Sequence, residues 1–94
     1  MTPENTIRIG GKPARSYFQA LQRAATQHDH ITVESRGKHT NKAYDLATEF
    51  CKRHDRWNIT SKNLVSVEYE GRSVTELTLR LKRRNEEKQD EEHD

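Results

Sequence analysis

Twice in the first half of this 94-residue chain, a short alternating segment passes through a loop bearing glycine and lysine into an amphipathic helix. That strand-loop-helix order restricts the possible folds more than any other feature of the sequence. Thr6-Ile7-Arg8-Ile9 is β-branched and alternating, which predicts a first strand. Gly10-Gly11 ends it, and Pro13 suits the first turn of a helix, where a missing N–H costs nothing. Ala14, Tyr17, Phe18, Leu21, Ala24 and Ala25 recur at helical spacing and carry the helix to about His28. Ile31-Thr32-Val33-Glu34 predicts a second strand, followed by an Arg36–Asn41 loop. Ala43, Leu46, Ala47, Phe50 and Cys51 then mark the apolar stripe of a second helix, with Thr40 or Asn41 as its N-cap. Lys52, Arg53 and His54 occupy its last turn, where positive charge suits the helix dipole.

The remainder reads as all-β. Asp55 to Lys62 is a connection with a short extended piece at Asn58-Ile59-Thr60. Leu64 to Tyr69 alternates, Glu70-Gly71-Arg72 is a tight turn, and Val74 to Lys82 alternates through Leu77, Leu79 and Leu81, which together predict a hairpin. The order β-α-β-α-β-β implies the α+β class, as an α/β two-layer sandwich with both helices on one face of one sheet. The other sheet face is expected to hold mixed residues and to be partly solvated. There is no internal repeat.

Hydrophobic residues make up only 30% of the chain, so the core of a single small domain must be modest. Cys51 is the one cysteine, which excludes an intrachain disulfide and fits a reducing compartment. No apolar stretch has the length of a signal peptide or a membrane span, so the expected location is cytoplasmic, on the nucleoid or chromosome. The net charge of +2 hides a division: residues 1–85 hold sixteen Lys/Arg against nine Asp/Glu, and residues 86–94 hold one against six. The predicted organisation is therefore a basic domain over 1–84 and an acidic, disordered tail over 85–94. Such a tail either competes for the basic face or serves only as a solvated end.

Two strand-to-helix loops with glycine and lysine suggest one surface built to meet an anion. Backbone N–H groups at a helix start attract phosphate. Gly11 and Gly37 allow close backbone approach, and Lys12, Arg36, Lys38 and Lys42 supply countercharge. Lysines at helix starts oppose the dipole and ask for a reason. Tyr17 either stacks on a base beside Lys12 or packs with Phe18 and Leu21. Arg72 at the hairpin turn either reaches a groove or is solvated. Arg80, Lys82, Arg83 and Arg84 form a basic edge or protect an edge strand from aggregation. The spacing of His28, His30, Cys51 and His54 fits no common zinc pattern, and Cys51 reads as a small core hydrophobe. Gly10-Gly11-Lys12-Pro13 lacks the frame of a phosphate-binding P-loop. No nucleophile, base and orienting group fall into an enzyme-like constellation. Neither a cofactor nor a small-molecule substrate is expected.

Gly10-Gly11-Lys12-Pro13 with Tyr17, then Ser35-Arg36-Gly37-Lys38 leading to Lys42-Ala43-x-Asp45, and the closing Leu77-x-Leu79-x-Leu81-Lys82-Arg83 strand together resemble the Alba family of archaeal and eukaryotic DNA/RNA-binding proteins. The resemblance spans about residues 5–84. It implies the Alba fold, similar to the C-terminal domain of translation initiation factor 3. It implies a homodimer, or a heterodimer with an Alba paralogue, that binds double-stranded DNA and RNA largely without sequence specificity and organises chromatin. Carried over residue by residue, the binding face is Lys12, Tyr17, Arg36, Gly37, Lys38, Lys42 and Arg72. Three features depart from the family pattern. Gly11 stands where many members have a first, acetylatable lysine. The hairpin reads as short where strong duplex binders have a longer arginine-rich arm. His54, with Trp57 just beyond, stands where a phenylalanine often serves contacts between dimers.

Two other readings follow from the same residues. One keeps the fold and makes the chain an RNA-binding protein of RNA processing or translation, like the related subunits of ribonuclease P. The other makes its basic face a module for an acidic protein partner.

Overall fold

The computed structural model describes residues 4–84, and the expected acidic tail lies outside them. Four strands form one sheet in the order β1-β2-β4-β3. They are β1 (Thr6–Ile9), β2 (His30–Arg36), β3 (Trp57–Tyr69) and β4 (Arg72–Arg83), with helices α1 (Ala14–Ala25) and α2 (Thr40–Arg53) between the first three. β1 pairs parallel with β2, and β4 lies antiparallel between β2 and β3. The β-α-β-α-β-β order and the α+β class are as the sequence predicted.

Register aligns the core. Ile7 and Ile9 face Val33 and Ser35, while Ile31, Val33 and Ser35 oppose Leu81, Leu79 and Leu77. Period-2 alternation puts this set on one sheet face. There it meets Leu21 and Ala24 of α1, and Ala43, Leu46, Ala47 and Phe50 of α2, all buried. Phe50 sits at the centre, 5.8 Å from Phe18 and 5.9 Å from Trp57 between ring centroids, both edge-to-face. Burial pushes the Cys51 thiol up, as befits a half-buried residue packed against this cluster. The opposite face carries Arg8, Thr32, Glu34, Arg36, Glu76, Thr78 and Arg80, none of them buried, which matches the mixed, solvated face expected.

Several boundaries differ from the sequence reading. α1 ends at Ala25, three residues early, because Thr26, Gln27 and His28 turn back onto the carbonyls of Arg23 and Ala24. β2 continues through Ser35 and Arg36, leaving a single 3-10 turn, Gly37–His39, before α2. Thr40 is therefore inside the helix rather than capping it, and its hydroxyl donates to the Gly37 carbonyl at 2.8 Å.

The largest difference is the hairpin. The stretch 55–62, expected as a connection, is mostly strand: β3 runs unbroken for 13 residues apart from a bulge between Ile59 and Ser61. The turn is tight as predicted, with Glu70 and Gly71 at φ 50° and 79°, the positive-φ pair of a type I′ hairpin. The hairpin itself is long, and the described chain measures 56 × 25 × 25 Å. β3 is an edge strand whose residues 61–66 are all exposed. No core demands apolar alternation there, so none is written in its sequence.

Candidate nucleic-acid interface

Because β1 and β2 are parallel and in register from Thr6↔Thr32 to Ile9↔Ser35, their C-terminal ends lie side by side. The Gly10–Pro13 and Gly37–His39 loops thus leave the same end of the sheet, as one anion-facing surface requires.

Two residues lock these loops. The Tyr17 hydroxyl, on the first turns of α1, accepts the backbone N–H of Gly10 at 2.9 Å and of Lys12 at 3.0 Å. A Cβ on Gly10 would stand 3.4 Å from that oxygen, at van der Waals contact. The Lys42 ammonium, on the first turn of α2, donates to the carbonyls of Gly10 at 2.9 Å and Lys12 at 2.5 Å. It also stands 5.1 Å from the centroid of the Tyr17 ring. Burial pushes the Tyr17 phenol up, but the Lys12 and Gly10 N–H donors and the Lys42 and Lys12 charges outweigh it, leaving the phenol below the usual tyrosine range. Tyr17 is thus buried and fully engaged by the loop, which favours packing over base stacking. Lys42, placed against the helix dipole, has its reason: two carbonyls of the neighbouring loop hold it. The N–H groups of Gly10 and Lys12 point inward at the phenol, so they are not the outward phosphate cradle that the sequence suggested.

What remains for a ligand is side-chain charge. Lys12 and Lys38 are exposed, and neither side chain makes a hydrogen bond or ion pair among the described residues. Gly37 adopts φ 55°, the left-handed conformation expected of a glycine in this tight loop. Arg36 closes β2 on the solvated face. Its Nε lies 2.7 Å from a Glu76 carboxylate oxygen, and its guanidinium carbon stands over the Tyr69 ring at 5.6 Å. A parallel pair, Arg8 with Glu34 at 3.1 Å, lies on the same face.

Arg72 opposes Tyr69 beside the hairpin turn, and the Tyr69 ring carries the Arg36 guanidinium over it. Arg83 and Arg84 lie at the opposite end of β4 and are structural: Arg83 pairs with Asp29 and stands 6.0 Å from the Trp57 centroid, and Arg84 donates to the Asp55 carbonyl at 2.8 Å. They protect no edge, because β4 is interior to the sheet. Trp57 is buried in the core and His54 is half-buried against Phe50, 4.6 Å between centroids, so Trp57 offers no exposed replacement for a phenylalanine. Tyr69 and Glu76, which hold Arg36, were not identified from sequence. Their alternation in the hairpin was visible, but their facing Arg36 depends on cross-strand register. Among the described residues no group of three or more His, Cys, Asp or Glu could hold a metal, and no helix is long and apolar enough to cross a membrane.

No protein-family model matches the sequence. Solved structures do match the fold. Alba from Thermoplasma volcanium is 24% identical, with a TM-score of 0.71 over 84% of this chain and all of that one. ALBA1 from Trypanosoma brucei is 15% identical, with a TM-score of 0.76 over 99% of this chain and 86% of that one. The four-stranded mixed sheet with two helices on one face is, in this chain, the Alba fold.

Proposed function

We propose that this chain is an Alba-type nucleic-acid-binding protein that works as a dimer and binds double-stranded DNA and RNA through their phosphates, largely without reading sequence. The observation that carries the reading is the pair of adjacent loops, tied together by Lys42 and Tyr17, that present Lys12 and Lys38 unpaired beside Arg36. Fixed loops hold their charges at set spacing, which suits a regular array of phosphates, and such contacts position without specifying. A second copy doubles the set and raises avidity. The exposed Leu64 and Tyr44, on the helix side of the arm and on α2, support an interface with that copy. The role that fits is organisation of chromatin or the nucleoid in the cytoplasm. The long arm removes one of the two reasons for preferring RNA processing, a short hairpin; the other, a lone Lys12 after Gly11, stands.

The test is fluorescence anisotropy with matched duplex DNA and duplex RNA across a salt series. Three phosphates neutralised per protomer give a slope of log K against log salt of about −3 per protomer. Arg36→Glu should weaken every sequence alike and flatten that slope by about 1 or more per protomer. Binding that is absent at low salt, or unaltered by Arg36→Glu, would refute the reading and favour an acidic protein partner.

A further inference from the structure

The arm is long but poor in positive charge. Between residues 61 and 76 it holds Lys62 and Arg72 against Glu68, Glu70 and Glu76. Lys62 is turned toward α2, 4.8 Å over the Tyr44 ring. An arm with that balance is ill suited to track phosphates, so its exposed surface has to be explained by something else.

The two faces of the arm differ. Register places Val65 with Glu76, Val67 with Val74 and Tyr69 with Arg72, so these six share the solvated sheet face. Glu68 pairs with Ser73 on the other side. The solvated face of the arm is therefore a strip of valines ending in a tyrosine with arginine beside it. Gly37 bounds the strip at its base, where a Cβ would lie 3.8 Å from Val74 Cγ1. Arg36, anchored by Glu76, spans from that base to Tyr69. Tyr69 is 53% exposed, the most exposed large hydrophobic residue of the described chain.

An exposed aromatic ring with the Arg36 guanidinium over it and Arg72 at the opposed strand position, beside the Lys38 loop, matches one ligand chemistry. A flat π-face accepts another flat π-system, while the adjacent cations require it to carry negative charge nearby. A base inside a duplex cannot offer its face. We propose that Tyr69, with Arg36 on one face of its ring and Arg72 across the strand, is a stacking platform for an unpaired nucleobase, reached by a single strand whose phosphates lie on the Lys38 loop.

This rests on the nucleic-acid-binding reading above, and the test separates the two. Labelled oligo-uridylate, oligo-thymidylate and a duplex DNA of equal length are titrated with the wild type, Tyr69→Ala and Tyr69→Phe. The expected result is that Tyr69→Ala lowers the ratio of single-strand to duplex affinity by about 5- to 150-fold, the range for loss of one stacked base. Tyr69→Phe should retain most of that ratio. The salt slope should not change, because no charge is removed. Equal losses on oligo-uridylate and oligo-thymidylate would identify the base, not the 2′-hydroxyl, as what is bound. An unchanged ratio in Tyr69→Ala, with salt-dependent binding intact, would overturn the platform and leave the general function standing. A change in molar mass in Tyr69→Ala would also overturn it, making Tyr69 an interface residue. If the wild type binds none of the three, both readings fall.

Discussion

Removing one oxygen atom tests the internal scaffold of the site. In Tyr17→Phe the ring stays where it packs, but the acceptor of the Gly10 and Lys12 N–H groups is lost. The Gly10 N–H is partly buried, so leaving it unpaired costs about 1–2 kcal/mol, toward the desolvation end of the range. Lys12 is exposed, and its N–H can turn to water, so losing that bond costs about 0.5–1 kcal/mol. The expected loss is therefore about 1.5–3 kcal/mol. For a domain of this size that corresponds to a melting temperature lower by roughly 6–24 °C. Urea unfolding followed by circular dichroism gives the free energy, with an unchanged m value required for the comparison. Lys42→Met makes the companion variant, because Lys42 holds the carbonyls of the same two residues. The two losses should not add: a double-mutant cycle should show coupling above about 0.5 kcal/mol, as for residues in one network. In nucleic-acid binding, Lys42→Met should weaken affinity by releasing the loop while leaving the salt slope unchanged, since its ammonium is committed to carbonyls. A loss below about 0.5 kcal/mol in Tyr17→Phe, or a salt slope smaller by 1 in Lys42→Met, would refute the scaffold reading and return both residues to direct contact.

Two more outcomes follow from the same structure. In a tyrosinate absorbance titration Tyr17 should ionise below the usual tyrosine range, and Tyr17→Phe should abolish that step. Since the folded state favours the phenolate, this group's stabilisation is fully present above the ordinary tyrosine pKa of about 10 and is lost as pH falls through the lowered value; the stability gap between wild type and Tyr17→Phe should accordingly widen as pH rises through that lowered value. Leu64→Glu, which places charge on the exposed helix side of the arm, should halve the molar mass in sedimentation equilibrium without altering the circular dichroism spectrum; a wild type that is already monomeric would rule out the dimer.

Alternation made the buried half of the sheet legible. Ile31, Val33, Leu77, Leu79 and Leu81 each face a core, and a core leaves its period in the sequence. The solvent-side β3 left none. Ser61, Lys62 and Asn63 are exposed on an edge strand, and only backbone pairing with β4 makes them extended. The loops were legible as charged junctions, but the roles within them were not. Lys12, Lys38 and Lys42 look alike in sequence. Only the three-dimensional path of α2 shows that Lys42 turns back onto Gly10 and Lys12 while the other two face outward. Tyr17 had two open readings for the same reason: its place on the apolar stripe gave burial, and the position of its hydroxyl required the β1–α1 turn.

The same distinction bears on what the protein can recognise. If Tyr17 and Lys42 were ligand contacts, aromatic stacking and phosphate neutralisation would share one crowded loop, and any nucleic acid that met the charge would meet the ring. In the structure the two chemistries are apart. The loops hold unpaired cations over a tied backbone, and the exposed aromatic ring stands out on the arm. Arg36 is the one residue that touches both, because Glu76 orients it toward Tyr69. The carboxylate also weakens Arg36 as a phosphate ligand, since an ion pair must be exchanged for each phosphate bound. At an exposed site that pair is worth roughly 0.2–1 kcal/mol, too little to prevent binding but enough to hold the guanidinium in place when no ligand is present. Glu76 therefore acts as an orienting residue with a small cost in affinity, and its position in the middle of β4 ties the loop to the arm through a single side-chain pair.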